Sequence, residues 1–262
     1  IQDGPGTDMR ITRIDGGIRF DHVHLSYDDR PALKNVSFEV KAGQTVAIVG
    51  PTGSGKSSVV SLIMREYEPT SGEIQIDGHN INAVPLQTLR SAIAYVPQDT
   101  FLFSDSICAN LTFGKPDVTQ SQIDSAADAA QLKETIEGLP NGYETLLGER
   151  GVNLSGGQKQ RLAIARAVVL DGAILILDDA LSAVDTHTAE QILQRLKSVM
   201  KQRTSVIISH RVSTVRHADL ILVLENGEIT ERGRHEELLE FGGHYAEMYE
   251  RQLLEDELET TA

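Results

Sequence analysis

The sequence predicts an α/β fold with a parallel sheet, an antiparallel β-lobe and an inserted helical subdomain. Short apolar runs typical of buried strands recur along the chain, and most follow a helical stretch; these runs are Thr45–Val49, Ile174–Leu177, Ser205–Ser209 and Leu220–Leu224. Between the second and third runs, apolar residues fall at helical spacing from Ala189 to Met200, so this segment lays one face on the sheet. Strands that alternate with helices predict a parallel core with crossover helices.

A glycine-rich turn, Gly50–Ser57 (GPTGSGKS), joins the first run to the helix-like stretch Ser58–Glu66. A strand, such a turn and a helix form a phosphate cradle, because the N–H groups of the turn converge on the anion and the helix dipole faces it. The spacing places Lys56 on the β- and γ-phosphates and the Ser57 hydroxyl on Mg²⁺. The turn predicts a P-loop NTPase core, against the alternative of an ordinary glycine-rich turn. The nucleotide-binding residues are then Gly50, Pro51, Thr52, Gly53, Ser54, Gly55, Lys56, Ser57 and Ser58.

Composition limits the class of protein. The 262 residues, 40% of them hydrophobic, are enough for one large domain or two intimate lobes around one sizeable core. The net charge is −14 and no Lys- or Arg-rich block occurs, which argues against a sequence-independent grip on nucleic acid. No run of about 18 apolar residues occurs, so no membrane span is expected. Cys108 is the only cysteine, which excludes an internal disulfide and a cysteine-cluster metal site.

The first part of the chain is expected to hold a linker and the antiparallel lobe. Ile1–Gly17 is glycine-rich and does not begin with Met, so we expect it to lead in from an upstream domain, although processing would give the same start. Strand-like alternation follows in Ile18–Tyr27 and Asn35–Val40, with Asp28–Pro31 as the turn. Glu73–Gly78 adds another short strand of this kind.

The region from about residue 99 to 157 breaks the alternation of strands and helices. It contains helix-like Ser121–Leu132 and several glycine turns, but no convincing core strand. We therefore predict an inserted helical subdomain here. Farther on, Asn226–Gly227 is a hairpin signal, and His235–Leu239 and Tyr245–Leu258 are expected to be helices.

Two further motifs accompany the P-loop. Asp178 ends the apolar run Ile174–Leu177 at the edge where α/β sheets bind ligands, so its carboxylate is expected to face Mg²⁺. The sequence Leu154–Gln158 (LSGGQ) precedes a helical stretch and predicts a second anion-binding turn, with the Ser155 hydroxyl and the Gly156 and Gly157 amides as donors. One domain seldom needs two such turns.

With both motifs, the chain resembles the nucleotide-binding domain of ATP-binding cassette (ABC) transporters, whose signature motif is LSGGQ. The resemblance covers Ile18 to Gln252 and implies an ABC nucleotide-binding domain over residues 18–262. By it, ATP and Mg²⁺ are the cofactors, Tyr27 stacks on adenine, and Ser57, Gln98 and Asp178 hold the metal. Lys56, Gln98, Asp179 and His210 are the catalytic residues. Taken singly, Tyr27, Gln98 and His210 also fit ordinary structural roles at strand ends and turns.

The family's geometry implies a partner. Two such domains pair head to tail, so that the signature residues of one, here Ser155, Gly156, Gly157 and Gln158, cover the nucleotide on the P-loop of the other. Thr145–Gly151 resembles the X-loop of exporters, and Phe101–Gly114 and Gly242–Gln252 also resemble exporter sequence. The resemblance thus implies a domain cut from an exporter, working with transmembrane domains at the cytoplasmic face of a plasma or inner membrane and binding no nucleic acid.

The chain departs from the family at Asp179, where a glutamate normally orients the attacking water. Aspartate is one methylene shorter, and a misplacement on the order of 1 Å can cost about 100-fold in rate. The substitution resembles the degenerate site of heterodimeric exporters, in which one half binds ATP but hydrolyses it poorly. A fully active homodimeric exporter ATPase, a soluble ABC ATPase acting on nucleic acid or ribosomes, and a regulatory module that binds ATP without turnover are the alternatives.

Overall fold

The computed structural model describes residues 1–115, 117–148, 151 and 154–261, with side chains described to Leu254. Within these residues the strands form a four-stranded and a six-stranded sheet. The strands are β1 (Ile18–Tyr27), β2 (Arg30–Val40), β3 (Thr45–Val49), β4 (Ser71–Ile76), β5 (His79–Asn80), β6 (Ile93–Val96), β7 (Ile174–Asp178), β8 (Thr204–Ile208), β9 (Leu220–Glu225) and β10 (Glu228–Gly233). The strand orders are β2-β1-β4-β5 and β10-β9-β3-β8-β7-β6.

The four-stranded sheet is antiparallel and confirms the predicted β-lobe. Its first hairpin pairs Phe20 with Phe38, whose rings stack with centroids 4.6 Å apart. The turn residues Asp28 and Asp29 both have left-handed φ angles, 45° and 64°. Because a two-residue hairpin turn of this kind keeps the flanking strands in register, β2 already begins at Arg30, before the predicted start at Asn35.

The six-stranded sheet is parallel except for β10, which pairs antiparallel with β9 through the predicted Asn226–Gly227 hairpin. The four predicted apolar runs are β3, β7, β8 and β9. The sequence does not predict β6, because a four-residue run at a sheet edge is too short to show a period. The predicted helical subdomain, residues 99 to 157, thus begins just after β6, a strand of the parallel sheet.

Helices cover both faces of this sheet. Val46 and Ile48 point into a core shared with the antiparallel sheet and the first helix, whereas Ala47 and Val49 point into a second core shared with the helices that follow. Burial on both faces is usual for a parallel sheet. The helices are α1 (Lys56–Ile63), α2 (Leu86–Ser91), α3 (Ile107–Thr112), α4 (Gln120–Ala129), α5 (Lys133–Glu137), α6 (Gly156–Leu170), α7 (Thr186–Met200), α8 (Val212–Val215), α9 (His235–Phe241) and α10 (His244–Thr261).

The first segment of the chain, Ile1–Gly17, contacts α2 and then reaches the antiparallel sheet. The Leu86 N–H donates to Asp3 Oδ1 at 2.9 Å, and the Thr88 hydroxyl donates to the Ile11 carbonyl oxygen at 3.2 Å. The carboxylate of Asp77 accepts hydrogen bonds from the backbone N–H groups of Asp15, Gly16 and Gly17 at 2.7, 3.1 and 2.6 Å, and Ile14 is buried. Its role as a linker stays a prediction, as do the predicted domain limits. None of the helices in the described part of the chain has the length and apolarity needed to cross a membrane.

Candidate nucleotide-binding site

The P-loop connects β3 to α1 in a backbone conformation that requires glycine. Gly50 has a φ angle of 144°, and a Cβ atom there would lie 2.0 Å from the carbonyl oxygen of Leu224. Gly55 has a φ angle of 105°, and a Cβ atom there would lie 2.7 Å from the carbonyl oxygen of Ala32. Side chains at either position would push the turn away from β9 or β2. The glycines thus keep the turn tight at the start of α1, as a phosphate cradle requires.

Lys56 places its ammonium over this turn. The Nζ atom donates hydrogen bonds to the carbonyl oxygens of Gly50 and Pro51, both at 2.8 Å, and the residue is buried. Burial lowers the pKa of Lys56, while the carboxylates of Asp179 and Asp178 act in the opposite direction. A positive charge therefore sits at the cradle with two acids near it, as a site for a phosphate and a cation needs.

A groove beside the P-loop brings most of the predicted site residues together. Its wall contains Tyr27, Thr52, Gly53, Gly55, Lys56, Ser57, Ser58, Gln98, Asp179 and His210. The Tyr27 hydroxyl donates to Ser58 Oγ at 3.3 Å, and its ring meets the Tyr67 ring edge-on with centroids 4.9 Å apart. Of the remaining P-loop residues, Gly50 and Pro51 line a neighbouring cleft, and the Ser54 hydroxyl is buried with no hydrogen-bond partner among the described residues.

Asp178 lies at the carboxyl end of β7, buried rather than in the wall of the groove. Burial raises the pKa of Asp178 and the Asp179 carboxylate raises it further, whereas the Tyr95 hydroxyl, Lys56 and His210 lower it. The Tyr95 hydroxyl donates to Asp178 Oδ2 at 3.3 Å. This contact is not predictable from the sequence, since Tyr95 and Asp178 meet only through the pairing of β6 with β7.

The oxygen donors suit Mg²⁺ in their chemistry. A hydroxyl from Ser57, an amide from Gln98 and a carboxylate from Asp178 are hard ligands of the kind that this ion prefers. Ser57 and Gln98 share the groove, and the pKa of Lys56 responds to Asp178 across the P-loop. These three residues would hold the ion, and their assignment as metal ligands stays a prediction.

Asp179 faces His210. Its φ angle is left-handed at 45°, and its own N–H donates to the Ile208 carbonyl oxygen at 2.9 Å. Asp179 Oδ1 accepts a hydrogen bond from the His210 backbone N–H at 3.2 Å, and Oδ2 lies 3.2 Å from His210 Nε2. Both oxygens of the short carboxylate are therefore engaged by one residue. The carboxylate side chain is 8% exposed, against 45% for the imidazole.

The predicted signature residues lie outside the groove, at the start of α6. Ser155 is the N-cap residue: its Oγ accepts from the Gln158 N–H at 3.2 Å, and Gln158 Oε1 accepts from the Ser155 N–H at 2.9 Å. This reciprocal pair is a capping box. Gly156 and Gly157 pack on Ala183, where a Cβ atom at Gly157 would lie 2.9 Å from the carbonyl oxygen. The role of these residues toward a nucleotide stays a prediction.

Gln160, on the first turns of α6, connects the signature to the acid at the end of β7. Its Nε2 donates to Ser182 Oγ at 2.9 Å and to the Asp179 carbonyl oxygen at 3.4 Å, and its Oε1 accepts from the Ala183 N–H at 2.8 Å. Gln160 is not among the site residues predicted from the sequence. The available signal was a polar residue among the otherwise apolar buried residues of α6.

The parallel sheet, the P-loop and the acids after β7 define the class of protein as a P-loop ATPase. The ABC transporter family model matches residues 33–182, more than half of the chain. The chain therefore belongs to the ABC transporter family, in which it is a nucleotide-binding ATPase domain. The predicted family and fold class are confirmed. Domains of this family bind ATP, generally together with Mg²⁺.

Similar proteins include bacterial and mitochondrial transporters. YknU of Bacillus subtilis (strain 168), an uncharacterized ABC transporter ATP-binding protein, is 51% identical over 242 residues, which are 92% of this chain and 41% of YknU. The mitochondrial iron-sulfur clusters transporter atm1 of Aspergillus fumigatus is 47% identical over 240 residues, 90% of this chain and 33% of the relative. A solved bacterial Atm1-family ABC exporter with ATP bound has a TM-score of 0.92 and 44% identity, covering 97% of this chain and 45% of that one. The chain thus spans less than half the length of these relatives.

Proposed function

We propose that the chain is the motor domain of an ABC exporter, which binds and hydrolyses ATP while paired head to tail with a second nucleotide-binding domain. The observation that carries the proposal is the placement of the two anion-binding turns. The P-loop faces the groove with Lys56, Gln98, Asp179 and His210, whereas the signature turn at Ser155 lies outside it. A second domain brings such a turn onto the nucleotide, and the signature of this chain then serves the partner.

Within the groove, some residues bind the nucleotide and others position the attacking water. The P-loop amides and Lys56 bind the phosphates, and the Tyr27 ring, held by Ser58, stacks on the base. Ser57, Gln98 and Asp178 would hold Mg²⁺, which neutralises phosphate charge when bound. Asp179 orients the attacking water and His210 fixes Asp179, because the two side chains are in contact at 3.2 Å.

Hydrolysis at this chain's own site is proposed to be weak. The Asp179 carboxylate is one methylene shorter than the usual glutamate, and both its oxygens already contact His210. It thus lies back from the position a water-orienting group needs. The signature residues Ser155–Gln158 are intact, so this chain can supply its share of the partner's site. This combination favours a heterodimer; a fully active homodimer is the alternative, since Lys56, Gln98 and His210 are all present.

The second proposed partner is the membrane part of an exporter, at its cytoplasmic face. Three phenylalanines beside the predicted X-loop form an aromatic cluster in which Phe101 and Phe113 are exposed and Phe103 is half-buried. The Phe103 ring centroid lies 5.1 Å from that of Phe101 and 4.2 Å from that of Phe113. Leu146, 69% exposed, pairs with Ser106 in the same region. Glu149 and Arg150 of the predicted X-loop lie outside the described residues. An apolar patch of this kind fits the intracellular helices of a membrane domain.

The test is ATP binding and hydrolysis by the 262-residue chain, with and without Mg²⁺. We expect Mg²⁺-dependent ATP affinity, and we expect Lys56→Ala to weaken it by about 100-fold or more, because a buried charge-assisted contact to phosphate is lost. Lys41→Ala, which removes an exposed lysine, is the control and should leave affinity unchanged. If the parent chain shows no ATP affinity in the presence of Mg²⁺, the proposed function is wrong.

A further inference from the structure

The last helix, α10, contacts the segment that carries His210. Gln252 on α10 accepts a hydrogen bond at Oε1 from the backbone N–H of Val212 at 2.6 Å. Its Nε2 donates to the carbonyl oxygen of His210. One side-chain amide thus binds the backbone on both sides of Arg211, and a planar amide with its donor and acceptor both engaged fixes the distance and the orientation of the two groups.

The contacted segment, Ser209–Arg211, lies between the end of β8 and the start of α8 and belongs to neither. Ser209 and His210 therefore lie outside the hydrogen-bond ladders that hold a strand or a helix in place, whereas the carbonyl oxygen of Arg211 accepts from the Thr214 N–H at 3.1 Å at the start of α8. At one end the His210 N–H donates to Asp179 Oδ1 at 3.2 Å. At the other end the Arg211 guanidinium donates to the Val184 carbonyl oxygen at 3.0 Å, and Gln252 binds the backbone on both sides of Arg211. The contact between Asp179 and the His210 imidazole thus depends on a segment that is held partly by α10.

The first turn of α10, the helix that carries Gln252, is anchored to the rest of the domain. Glu231 on β10 accepts hydrogen bonds from the N–H groups of His244 and Tyr245 at 2.6 and 3.2 Å. Tyr245 is fully buried, and its hydroxyl shares a hydrogen bond of 2.8 Å with His235 Nδ1. About two turns later, α10 forms one wall of a cleft whose other wall holds Gly50, Pro51 and His210. The helix therefore cannot move without changing the surroundings of the P-loop.

We infer that Gln252 is a positioning residue of the ATPase site, acting through His210 on Asp179 and making the C-terminal helix part of the control of hydrolysis. The inference rests on the proposed function, because it concerns the rate of ATP hydrolysis. Gln252 does not need to touch the nucleotide. Removal of the Gln252 amide lets the backbone at His210 shift. Such a shift changes the alignment of the attacking water rather than the affinity for ATP.

The experiment compares Gln252→Ala and Gln252→Glu with the parent chain, using steady-state hydrolysis of ATP with Mg²⁺ and hydrogen exchange at the Val212 amide. We expect Gln252→Ala to lower kcat about five- to tenfold with KM within twofold, the size of one or two lost hydrogen bonds. Gln252→Glu retains an acceptor for Val212 but sets a carboxylate against the His210 carbonyl, so its kcat falls at least as far. Glu250→Ala, an exposed change on the same helix, is the control and leaves both readouts unchanged.

Hydrogen exchange tests the contact without nucleotide, so it separates this inference from the proposed function. We expect the Val212 amide to exchange about five- to tenfold faster in Gln252→Ala, because it loses its acceptor. An unchanged exchange rate, an unchanged kcat, or a rise in KM with constant kcat each overturns the inference. Loss of ATP binding by the parent chain instead contradicts the proposed function. If Gln252→Ala does not fold, Gln252→Leu, which lacks both the donor and the acceptor of the amide, carries both measurements with the same expected outcomes.

Discussion

Asp179→Glu is the substitution that most directly tests the proposed weak site. The Asp179 carboxylate is held by two contacts of 3.2 Å to His210. At about 1 kcal/mol for each hydrogen bond, they oppose any movement toward the nucleotide by about 2 kcal/mol. A glutamate reaches on the order of 1 Å farther without a backbone shift, and a misplacement of that size costs up to about 100-fold. We therefore expect kcat to rise by about thirtyfold, which is about 2 kcal/mol off the barrier.

The assay is steady-state hydrolysis at saturating ATP with Mg²⁺, alongside ATP affinity for both proteins. Affinity should stay within about threefold, because the P-loop and Lys56 are untouched. Asp171→Glu is the matched control: Asp171 also has a left-handed φ angle, 57°, and pairs with Arg203 at 2.7 Å, but it lies outside the groove. Equal rates for Asp179→Glu and the parent would refute the reasoning and leave a fully active homodimeric ATPase as the better account.

Three further predictions concern the cradle, the buried acid and the signature. Gly55→Ala should lower the free energy of unfolding by about 1–3 kcal/mol more than Gly53→Ala and should also weaken ATP binding. A Cβ atom at Gly55 meets the Ala32 carbonyl oxygen, whereas a Cβ atom at Gly53 meets open space. Urea unfolding of both variants measures the difference. Burial raises the pKa of Asp178 in the folded protein above its ordinary value of 3.8. Ionisation of Asp178 therefore lowers the free energy of unfolding, fully above the raised pKa and not at all below about pH 3.8, where the group is protonated in both states. Asp178→Asn should therefore raise the urea midpoint at pH 7 but not at about pH 3.5, and weaken Mg²⁺-dependent binding; a rise at both pH values would contradict this. Ser155→Ala and Thr119→Ala each break a capping box and should cost about 1 kcal/mol of stability, but only Ser155→Ala should lower hydrolysis in the assembled dimer.

Features encoded locally were predictable from the sequence. The runs that became β3, β7, β8 and β9 consist mainly of Val, Ile and Leu, and this composition predicts their burial on both faces of the sheet. The spacing in Gly50–Ser57 predicted a phosphate cradle, and the structure places most of its residues in one groove.

Contacts made by distant residues were not predictable. Tyr95 meets Asp178 only because β6 lies beside β7, and β6 itself is too short to show a period. Gln160 and Gln252 are single polar residues on helices, and nothing in their neighbours along the chain indicates which backbone groups they bind. The capping pair of Ser155 and Gln158 is an exception, because a spacing of three between serine and glutamine before a helical stretch is a local signal. The prediction made for this turn concerned anion binding and not the cap.

The amide of Gln160 has a consequence for communication between sites. Its donor and acceptor are both used, toward Ser182 and Ala183, and its Nε2 also reaches the Asp179 carbonyl oxygen. If the backbone at Asp179 moves during turnover, α6 and the turn at its start must move with it or lose these bonds. In a head-to-tail pair, ATP binding at one site would thus be coupled to ATP binding at the other, and thermodynamic linkage would require the two affinities to change by the same factor.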